Sequence, residues 1–332
     1  MLTVGLIGAG RIGRVHASTI VQDEGSQLVA VADSVDENAK NLAKLYKVNP
    51  RSVDAIFEDN SIEAILIASS TDTHSDFIEK ASIAGKAILC EKPVDLSLAR
   101  AKRCLENTKS NEHSIMMGFN RRFDPNFVAL KNALDGGEIG TAELLSITSF
   151  DPAPPPIDYV KVSGGIFKDM MIHDFDMANF LYGELPKSIF VSASALVDKK
   201  IGALGDYDTA VATLKYTDGR LAVIKNSRRA TYGYDQRIEV LGSKGLLQVQ
   251  NMVENCIVKS TEMGVESSKP EYFFLERYKS AYQNEWAAFV TAVKTKTPMP
   301  VSLSDGIAAL AIAEAAAASA EMGSEVEIAN FL

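Results

Sequence analysis

The sequence predicts an α/β chain of 332 residues in two parts: a doubly wound parallel sheet, then an α+β part with a large, mostly antiparallel, open-faced sheet. In the first 120 or so residues, apolar runs without alternation are separated by amphipathic stretches, as in parallel strands covered on both faces. Further along, apolar runs joined by very short turns predict hairpins and therefore antiparallel strands. We place the domain boundary so that residues 1–121 form the first domain and residues 122–332 the second.

The first element is the apolar run Val4–Ile7, followed at once by Gly8-Ala9-Gly10-Arg11-Ile12-Gly13 and an amphipathic helix. Glycine at these places permits a tight turn, close approach of the backbone to a pyrophosphate, and close packing of helix on strand. The N-terminus of such a helix offers unpaired N–H groups and the positive end of its dipole to phosphates. The motif therefore predicts a dinucleotide-binding turn of the Rossmann type.

A second apolar run, Leu28–Ala32, ends on Asp33, twenty residues beyond Gly13. An acid at this place accepts hydrogen bonds from the hydroxyls of an adenosine ribose and repels a 2′-phosphate. No arginine or lysine follows in Ser34-Val35-Asp36-Glu37, so NAD is favoured over NADP. The alternative is that Asp33 is a turn residue or a cap of the predicted helix Val35–Tyr46.

Further strands and helices alternate through the first domain. The predicted strands are Ala64–Ala68, Ala87–Cys90 and Ser114–Phe119, and the predicted helices are Ser75–Ala84 and Ser97–Thr108, with a short docking segment at Val53–Phe57. Ligands of doubly wound sheets gather at the carboxyl ends of the strands. Here those ends carry small and polar residues, namely Ala68-Ser69-Ser70-Thr71, Glu91-Lys92-Pro93 and Gly118-Phe119-Asn120.

The second domain is predicted to consist mostly of strands. They are Glu143–Ser149, Ser188–Ala195, Thr209–Tyr216, Leu221–Ser227, Arg237–Leu241, Leu246–Gln250 and Cys256–Ser260, with Thr217-Asp218-Gly219-Arg220 and Gly242-Ser243-Lys244-Gly245 as hairpin turns. The predicted helices are Pro125–Leu134 at the joint, Ile166–Leu181 as the one interruption of the sheet, and Phe273–Val293 and Asp305–Met322 at the end. A sheet of this size leaves one face uncovered, so we expect a second subunit to pack there in a homo-oligomer.

Composition narrows the classes of partner. A net charge of −9 argues against nucleic acid or an anionic membrane, because both attract positive surfaces. The alanine-rich stretch Ile307–Ala320 contains Glu314, which favours a packed helix over a membrane span. Three cysteines without paired spacing predict a reducing compartment, the cytoplasm by default, and neither disulfides nor structural zinc. The first strand begins at once, so we expect no signal peptide.

Lys92 is the first candidate for chemistry. It stands at a strand end and precedes Pro93, which favours an extended backbone and an outward side chain. A lysine there can hydrogen-bond a substrate hydroxyl or a developing carbonyl oxygen. The alternative is a solvated lysine that pairs with Glu91.

Asp169 and His173 form the second candidate. They lie four residues apart in a predicted helix and so share a face. An acid beside a histidine can fix its tautomer and raise its basicity, which suits a general base for alcohol oxidation. The alternative is an exposed helix pair or an N-cap arrangement. We assign no special role to His16 and His113, and no metal site, because no second histidine or cysteine lies at ligand spacing.

Five motifs recur in the order and spacing of one family. They are Gly8-Ala9-Gly10-Arg11-Ile12-Gly13, Thr71-Asp72-Thr73-His74, Glu91-Lys92-Pro93, Gly118-Phe119-Asn120-Arg121-Arg122-Phe123 and Asp169-Met170-Met171-Ile172-His173-Asp174. By these motifs the whole chain resembles the glucose–fructose oxidoreductase/inositol dehydrogenase/MocA family of sugar and polyol dehydrogenases. Asp151–Pro155, Ser163–Phe167 and Arg229–Arg237 resemble the members of that family that oxidise myo-inositol.

The resemblance implies a role for each candidate residue. The implied catalytic triad is Lys92, Asp169 and His173, with His173 as the base. The expected NAD-binding set is Gly8, Gly10, Arg11, Ile12, Gly13, Asp33, Ser34, Ser70, Thr71, His74, Glu91, Lys92 and Asn120. Arg121, Asp151 and Tyr234 are expected to contact substrate hydroxyls together with the triad. The alternatives are a loop residue for Asp151 and a hairpin-edge aromatic for Tyr234.

The reaction implied is NAD-dependent oxidation of myo-inositol to 2-keto-myo-inositol (scyllo-inosose). Some members of the family carry asparagine in place of Asp151 and methionine in place of Asn120, so another polyol or aldose, such as scyllo-inositol or glucose, is an alternative substrate. A noncatalytic NAD-binding regulatory sensor is the alternative from another class. The family suggests a tetramer.

Overall fold

The computed structural model describes all residues from Met1 to Leu332 and has two compact units, each built around its own sheet. The first unit contains Met1–Phe123 and Ser280–Leu310, and the second contains Asp124–Lys279 and Ala311–Leu332. The division into residues 1–121 and 122–332 stays a prediction about domains. It assigns residues 280–310 to the second domain, whereas in the structure they belong to the first unit. Their place there depends on packing between segments distant in sequence.

The first unit has six strands connected by helices. The strands are β1 (Leu2–Ile7), β2 (Ser26–Ala32), β3 (Asn49–Pro50), β4 (Ala64–Ile67), β5 (Ala87–Glu91) and β6 (Ile115–Gly118), and the helices are α1 (Arg11–Gln22), α2 (Asp36–Tyr46), α3 (Val53–Glu58), α4 (His74–Ile83) and α5 (Leu98–Thr108). All strand pairs are parallel, in the order β3-β2-β1-β4-β5-β6. The predicted doubly wound sheet is confirmed, and its direction of winding changes between β1 and β4, where such sheets bind ligands.

Two short elements of the first unit differ from the prediction. β3 consists of Asn49 and Pro50, residue types that strands rarely contain, so only its pairing with β2 defines it. The predicted docking segment is the helix α3, whose N-cap residue Ser52 accepts a hydrogen bond from the Ala55 N–H at 3.2 Å.

The strands of the first unit are covered on both faces. Every residue of β4 is fully buried, and so are Val4 and Leu6 of β1. Helices on both sides of a parallel sheet produce this burial, which explains the apolar runs without alternation. Polar groups of this sheet can therefore reach a ligand at the strand ends and not on its faces.

The second unit has a seven-stranded sheet and a separate hairpin. Its strands are β7 (Ala142–Phe150), β8 (Ser188–Ser194), β9 (Thr209–Lys215), β10 (Leu221–Ser227), β11 (Asp235–Gly242), β12 (Gly245–Val249), β13 (Val258–Thr261), β14 (Gly264–Ser267) and β15 (Val326–Glu327). Its helices are α6 (Pro125–Asp135), α7 (Ile157–Ser163), α8 (Ile172–Tyr182), α9 (Lys199–Ala203) and α10 (Phe274–Arg277), and a π-helical segment, Phe167–Met171, precedes α8.

The large sheet has the order β12-β11-β7-β10-β9-β8-β15. Five of its six neighbouring pairs are antiparallel, and only β7 and β10 are parallel. The prediction of a mostly antiparallel sheet is confirmed, and so are both predicted hairpin turns. The parallel pair brings the carboxyl ends of β7 and β10 to the same edge of the sheet.

Three expectations about this unit are wrong. The strand predicted at Cys256–Ser260 is not in the large sheet, since β13 pairs with β14 in a hairpin whose residues are all exposed. The sheet region contains α7 and α9 besides α8, and these helices have only seven and five residues, too few to show a helical period. The helix predicted at Phe273–Val293 is divided at Tyr278 into α10 and a further helix, α11 (Lys279–Thr295).

The two faces of the large sheet differ. Apolar side chains that are fully or almost fully buried cover one face: Leu145, Ile147, Ala212, Leu214, Ala222, Ile224, Ile238 and Val240. The other face carries apolar side chains that are 38% to 45% exposed: Leu144, Phe190, Val211, Leu221, Leu241 and Leu246. Because successive residues of a strand point to opposite faces, this alternation follows from the sequence. The predicted open face is therefore present, and it carries these exposed apolar side chains.

The chain ends with α12 (Leu303–Met322) and the short β15. By length and composition α12 is the one helix that could cross a membrane, but 61% of its most apolar 18-residue window is buried. Residues Ala309–Ala313 are fully buried. This burial is what we expected of a packed helix at Ile307–Ala320.

Candidate active site

The glycine turn after β1 leaves an open space at the N-terminus of α1. Gly8 has φ of +103°, and a Cβ atom there would lie 2.3 Å from the carbonyl oxygen of Ala68. A Cβ atom on Gly13 would lie 1.9 Å from the carbonyl oxygen of Gly8, so neither position accepts a side chain. A Cβ atom on Gly10 would meet nothing within 4 Å, and Gly10 is the N-cap residue of α1. The open space at the N-terminus of α1 fits a pyrophosphate.

Asp33 lies at the end of β2 and is tied to this turn. Its Oδ2 accepts a hydrogen bond from the Ala9 N–H at 2.6 Å, and its Oδ1 accepts one from the Val35 N–H at 2.8 Å. The contact with Val35 is the turn role that we considered as the alternative, and the contact with Ala9 aims the carboxylate at the phosphate-binding turn. Oδ1 has a second, longer contact with Asn38 Nδ2 at 3.5 Å, and Oδ2 keeps a lone pair for another donor, so the group also fits a ribose diol.

The other residues of the expected NAD-binding set lie at the same edge of the sheet. They are Arg11 and Ile12 at the start of α1, Ser34 after β2, Ser70 and Thr71 after β4, His74 at the start of α4, Glu91 and Lys92 at the end of β5, and Asn120 after β6. The topology explains their placement, because the carboxyl ends of parallel strands meet at one edge. Direct contact of each residue with NAD stays a prediction.

His74 connects two of these loops from a buried position. It is 1% exposed, its Nδ1 lies 2.8 Å from the Pro93 carbonyl oxygen, and its Nε2 lies 3.2 Å from that of Ser69. Burial is the main reason that the pKa of His74 is lowered, and in the neutral form that this favours the ring has one N–H and donates to only one of the two carbonyl oxygens. His74 thereby supports the loop that begins with Lys92, whose peptide bond to Pro93 is cis.

Glu91 is held by a histidine to which we assigned no special role. His16 is fully buried, and its Nε2 lies 2.7 Å from Glu91 Oε1. The ring of Tyr282 meets the His16 ring edge-on, with centroids 5.4 Å apart. The expectation for His16 is therefore wrong. The feature of the sequence that could have revealed this contact is the position of His16, three residues after Gly13 on the buried face of α1.

Glu285 of α11 is a buried acid close to Glu91. It is fully buried, and neither of its carboxyl oxygens has a hydrogen-bond partner. Burial, and then the negative charge of Glu91, raises the pKa of Glu285 well above its ordinary value. Burial therefore favours the protonated, neutral form of this side chain in the folded protein.

The burial of Glu285 predicts a pH-dependent cost to stability. Above about pH 4.3 the unfolded chain releases a proton that the folded protein keeps, so the free energy of unfolding decreases as the pH rises. We expect this decrease to be smaller in Glu285→Gln, which has the same shape and no ionisable group. Urea unfolding of both proteins at several pH values measures it, with the exposed Glu24→Gln as the control. Equal pH dependence in the parent protein and Glu285→Gln would contradict the neutral buried acid.

In the second unit, Asp169 and His173 lie in one continuous helical stretch. Asp169 falls within the π-helical segment, and His173 is the second residue of α8. Such π segments within helices are frequent at functional sites. The Asp169 side chain is only 14% exposed and His173 is half-buried. The exposed pair or N-cap arrangement that we considered as the alternative does not describe these residues.

The Asp169 carboxylate is held by two side chains that the sequence analysis missed. The hydroxyl of Tyr159, from α7, donates to Oδ1 at 2.8 Å. Nη1 and Nη2 of Arg228, which follows β10, each lie 3.3 Å from Oδ2. Tyr159 and Arg228 are 10 and 59 residues from Asp169, so no local spacing could have revealed either of them.

The end of the parallel pair collects further predicted residues at one edge of the large sheet. Phe150 pairs with Ser227 on one side and with Asp235 on the other, where β7 and β10 end and β11 begins. The residues just beyond that edge are Asp151, Arg228 and Tyr234. Asp151 is half-buried, and its N–H donates to the Ser227 carbonyl oxygen at 2.9 Å. Tyr234 is 3% exposed and packs edge-on against Tyr278. Their contacts with substrate stay predictions.

A buried polar network anchors α8 to the same two strands. Asp174 is fully buried, and its oxygens lie 2.7 Å from Ser149 Oγ and 2.8 Å from Asn226 Nδ2. Ser149 belongs to β7 and Asn226 to β10. The helix that carries His173 is therefore fixed to the parallel pair of strands.

The predicted catalytic and substrate residues are divided between the two units. Lys92 and Arg121 belong to the first unit, and Asp151, Asp169, His173 and Tyr234 belong to the second. Arg121 is 5% exposed and follows Asn120 in a 3₁₀ helix after β6. Each unit brings its own set together, and the convergence of the two sets on one substrate stays a prediction.

Comparison with known proteins agrees with this arrangement. Residues 2–119 match a family described as an oxidoreductase family with an NAD-binding Rossmann fold, and residues 127–248 match the GFO/IDH/MocA C-terminal domain. The chain is 48% identical over 325 residues to the inositol 2-dehydrogenase of Rhizobium meliloti strain 1021, which covers 98% of both proteins.

Two crystal structures extend the similarity to three dimensions. A myo-inositol dehydrogenase from Corynebacterium glutamicum is 40% identical and superposes with a TM-score of 0.95, covering 98% of each chain. A myo-inositol dehydrogenase from Lactobacillus casei, in complex with NAD(H) and myo-inositol, is 26% identical, with a TM-score of 0.89 over 98% of this chain and 96% of that one.

The matches cover both units and confirm the resemblance drawn from the five motifs. They also confirm NAD as the cofactor, to which the open glycine turn and the placement of Asp33 are suited. The chain belongs to the GFO/IDH/MocA family of oxidoreductases, and its N-terminal part is the NAD-binding Rossmann domain of that family.

Proposed function

We propose that the protein is an NAD-dependent dehydrogenase that oxidises the axial hydroxyl of myo-inositol to 2-keto-myo-inositol. One observation carries the proposal: Lys92, Asp169 and His173 are all present in a chain that resembles an inositol 2-dehydrogenase over 98% of its length. The polar edge of the second unit supports it, since Asp151, Asp169 and Tyr234 supply the acceptors and donors that a polyol ring requires.

Each residue of the proposed triad has a separate task. His173 accepts the proton of the reacting hydroxyl, because its half-buried ring is within reach of a substrate and imidazole is the commonest general base in enzymes. Lys92 donates a hydrogen bond to the same oxygen and stabilises the negative charge that develops on it. Asp169 orients His173. Bound NAD supplies the nicotinamide ring that accepts a hydride from the carbon of that hydroxyl.

The direct test of the function is a substrate panel. We expect NADH formation, measured by absorbance, to be fastest with myo-inositol when scyllo-inositol and glucose are offered in parallel, each with NAD and with NADP. Faster turnover of another polyol would replace myo-inositol as the substrate and leave the chemistry standing. A protein that binds NAD but is inert with every polyol would favour the noncatalytic sensor instead.

Asp33 is proposed to select NAD over NADP. We expect Asp33→Ala to raise the KM for NAD by about 10- to 100-fold, because a hydrogen bond to a charged group is lost. The same change removes repulsion of the 2′-phosphate, so kcat/KM with NADP should rise relative to NAD. Asp36→Ala, which removes an exposed acid from the first turn of α2, is the matched control. An unchanged preference for NAD in Asp33→Ala would refute this role.

We also propose that the protein is a homo-oligomer in the cytoplasm. The open face of the large sheet carries exposed apolar side chains on β7 to β12, which a second copy of the chain would cover. The family resemblance favours a tetramer. The three cysteines are free thiols, one of them exposed, which supports a reducing compartment.

A further inference from the structure

We propose that Arg228 and Tyr159 are positioning residues that hold the Asp169 carboxylate in the orientation needed to direct His173. This inference rests on the proposed dehydrogenase function and adds two residues to it. Neither residue belongs to the triad. Each contacts Asp169 from an element outside the helical stretch that contains Asp169.

Both oxygens of Asp169 are engaged, each by a different element. Tyr159 binds Oδ1 from α7, and Arg228 binds Oδ2 from the end of β10. A carboxylate held at one oxygen can rotate about its terminal bond, whereas one held at both cannot. Oδ1 accepts one hydroxyl donor and Oδ2 accepts two N–H groups of one guanidinium. The two side chains together therefore fix the carboxylate.

Arg228 is rigidly placed. Its side chain is 2% exposed, and its backbone N–H donates to the Asp208 carbonyl oxygen at 2.8 Å. Asp208 is itself fully buried, and its carboxylate accepts hydrogen bonds from three successive N–H groups, those of Leu196, Val197 and Asp198.

The buried guanidinium depends on Asp169 for its charge balance. Its Nε is buried without a hydrogen-bond partner, and Asp169 supplies its ion pair. A buried charge is costly unless it is paired, so Arg228 and Asp169 are strongly coupled. The coupling confines the carboxylate to the position that Arg228 dictates.

Tyr159 is more exposed than Arg228, so a substitution there tests the contact with Asp169 with less disturbance of the fold. Tyr159 is 47% exposed, yet its hydroxyl donates to Asp169 at 2.8 Å. Removing the hydroxyl alone leaves the ring in place and disturbs no buried packing. We therefore expect Tyr159→Phe to act on catalysis through the hydrogen bond to Asp169.

The test compares Tyr159→Phe, Arg228→Lys and Arg228→Met by steady-state kinetics with myo-inositol and NAD. We expect Arg228→Met to lower kcat by about 10- to 100-fold, the loss that follows when a catalytic group is misplaced. Arg228→Lys should recover part of this loss, since it keeps the charge. Tyr159→Phe should lower kcat by several-fold. The dissociation constant for NAD should be unchanged in all three, because NAD binds to the other unit.

A second trio of the same residue types provides the control. Tyr232, 49% exposed, donates to Asp235 at 2.6 Å, and Arg237 pairs with the same carboxylate. Tyr232→Phe removes an equivalent hydroxyl from a carboxylate outside the triad, and we expect parental kcat. A kinetic isotope effect with substrate deuterated at the reacting carbon should increase in Tyr159→Phe and not in Tyr232→Phe.

The outcomes are distinct. Parental kcat in Tyr159→Phe and in folded Arg228→Met, or an equal loss in Tyr232→Phe, would overturn the inference while the dehydrogenase function stands. If Arg228→Met does not fold, Tyr159→Phe decides. A parent protein that is inert with every polyol would overturn the function and the inference together.

Discussion

Replacing His173 with alanine should lower kcat for polyol oxidation by about 10²–10⁴-fold, the usual contribution of a general base. The physical reason is that no other group takes the hydroxyl proton as the C–H bond breaks. The affinity for NAD should be preserved, because His173 and the glycine turn belong to different units. Steady-state kinetics and fluorescence titration with NADH measure the two quantities separately.

His113→Ala is the matched control for this experiment. His113 is exposed, in a 3₁₀ helix of the first unit, and we expect parental turnover when it is replaced. Unaltered turnover in His173→Ala would remove His173 from the proposed role of base. A loss of NAD affinity equal to the loss of turnover would indicate a role in cofactor binding instead.

Replacing Lys92 with methionine should lower kcat/KM for myo-inositol by about 10²–10³-fold, as is usual when a donor to a developing oxyanion is removed. Methionine keeps most of the length and the apolar stem of lysine while the ammonium group is lost. Because the charge on oxygen develops in the transition state, we expect the loss mainly in kcat and less in KM. The measurement is the ratio of the two parameters in the variant and the parent protein.

Lys80→Met provides the comparison, since the Lys80 side chain is 54% exposed and pairs with Asp54 on the surface. Removal of that lysine should leave kinetics unchanged. If Lys92→Met is as active as Lys80→Met, then Lys92 is the solvated surface lysine that we considered as the alternative, and the proposed mechanism loses its second group.

Some elements were predictable because their causes are local. β4 is apolar along its whole length and β5 is apolar up to its last residue, Glu91, and the Asp218-Gly219 turn between β9 and β10 requires a positive φ, which Gly219 has at +93°. Other elements have no local cause. β3 contains Asn49 and Pro50 and exists because β2 pairs with it. β13 and β14 form a hairpin separate from the large sheet, although their residue types favour strands.

The residues of the candidate site also fall into two groups, those that local sequence could predict and those that it could not. Asp169 and His173 could be proposed from four-residue spacing, and Asp33 from its distance to Gly13. The partners of these groups could not. His16 contacts Glu91 across 75 residues, and Glu285 reaches the same region from the returning helix α11. Such contacts depend on strand order and helix packing, which no local window of sequence contains.

The sequence by itself determined the glycine turn and the cofactor that it suits, because Gly8, Gly10 and Gly13 stand at fixed spacing in one strand–turn–helix unit and Asp33 ends the next strand. It also determined which apolar side chains lie on the open face of the large sheet, since alternation along a strand decides the side on which each residue lies. Only the tertiary structure decided how Asp169 is held. The parallel pairing of β7 with β10 carries Arg228 to that carboxylate across 59 residues, and strand pairing over such distances is a property of the whole sheet.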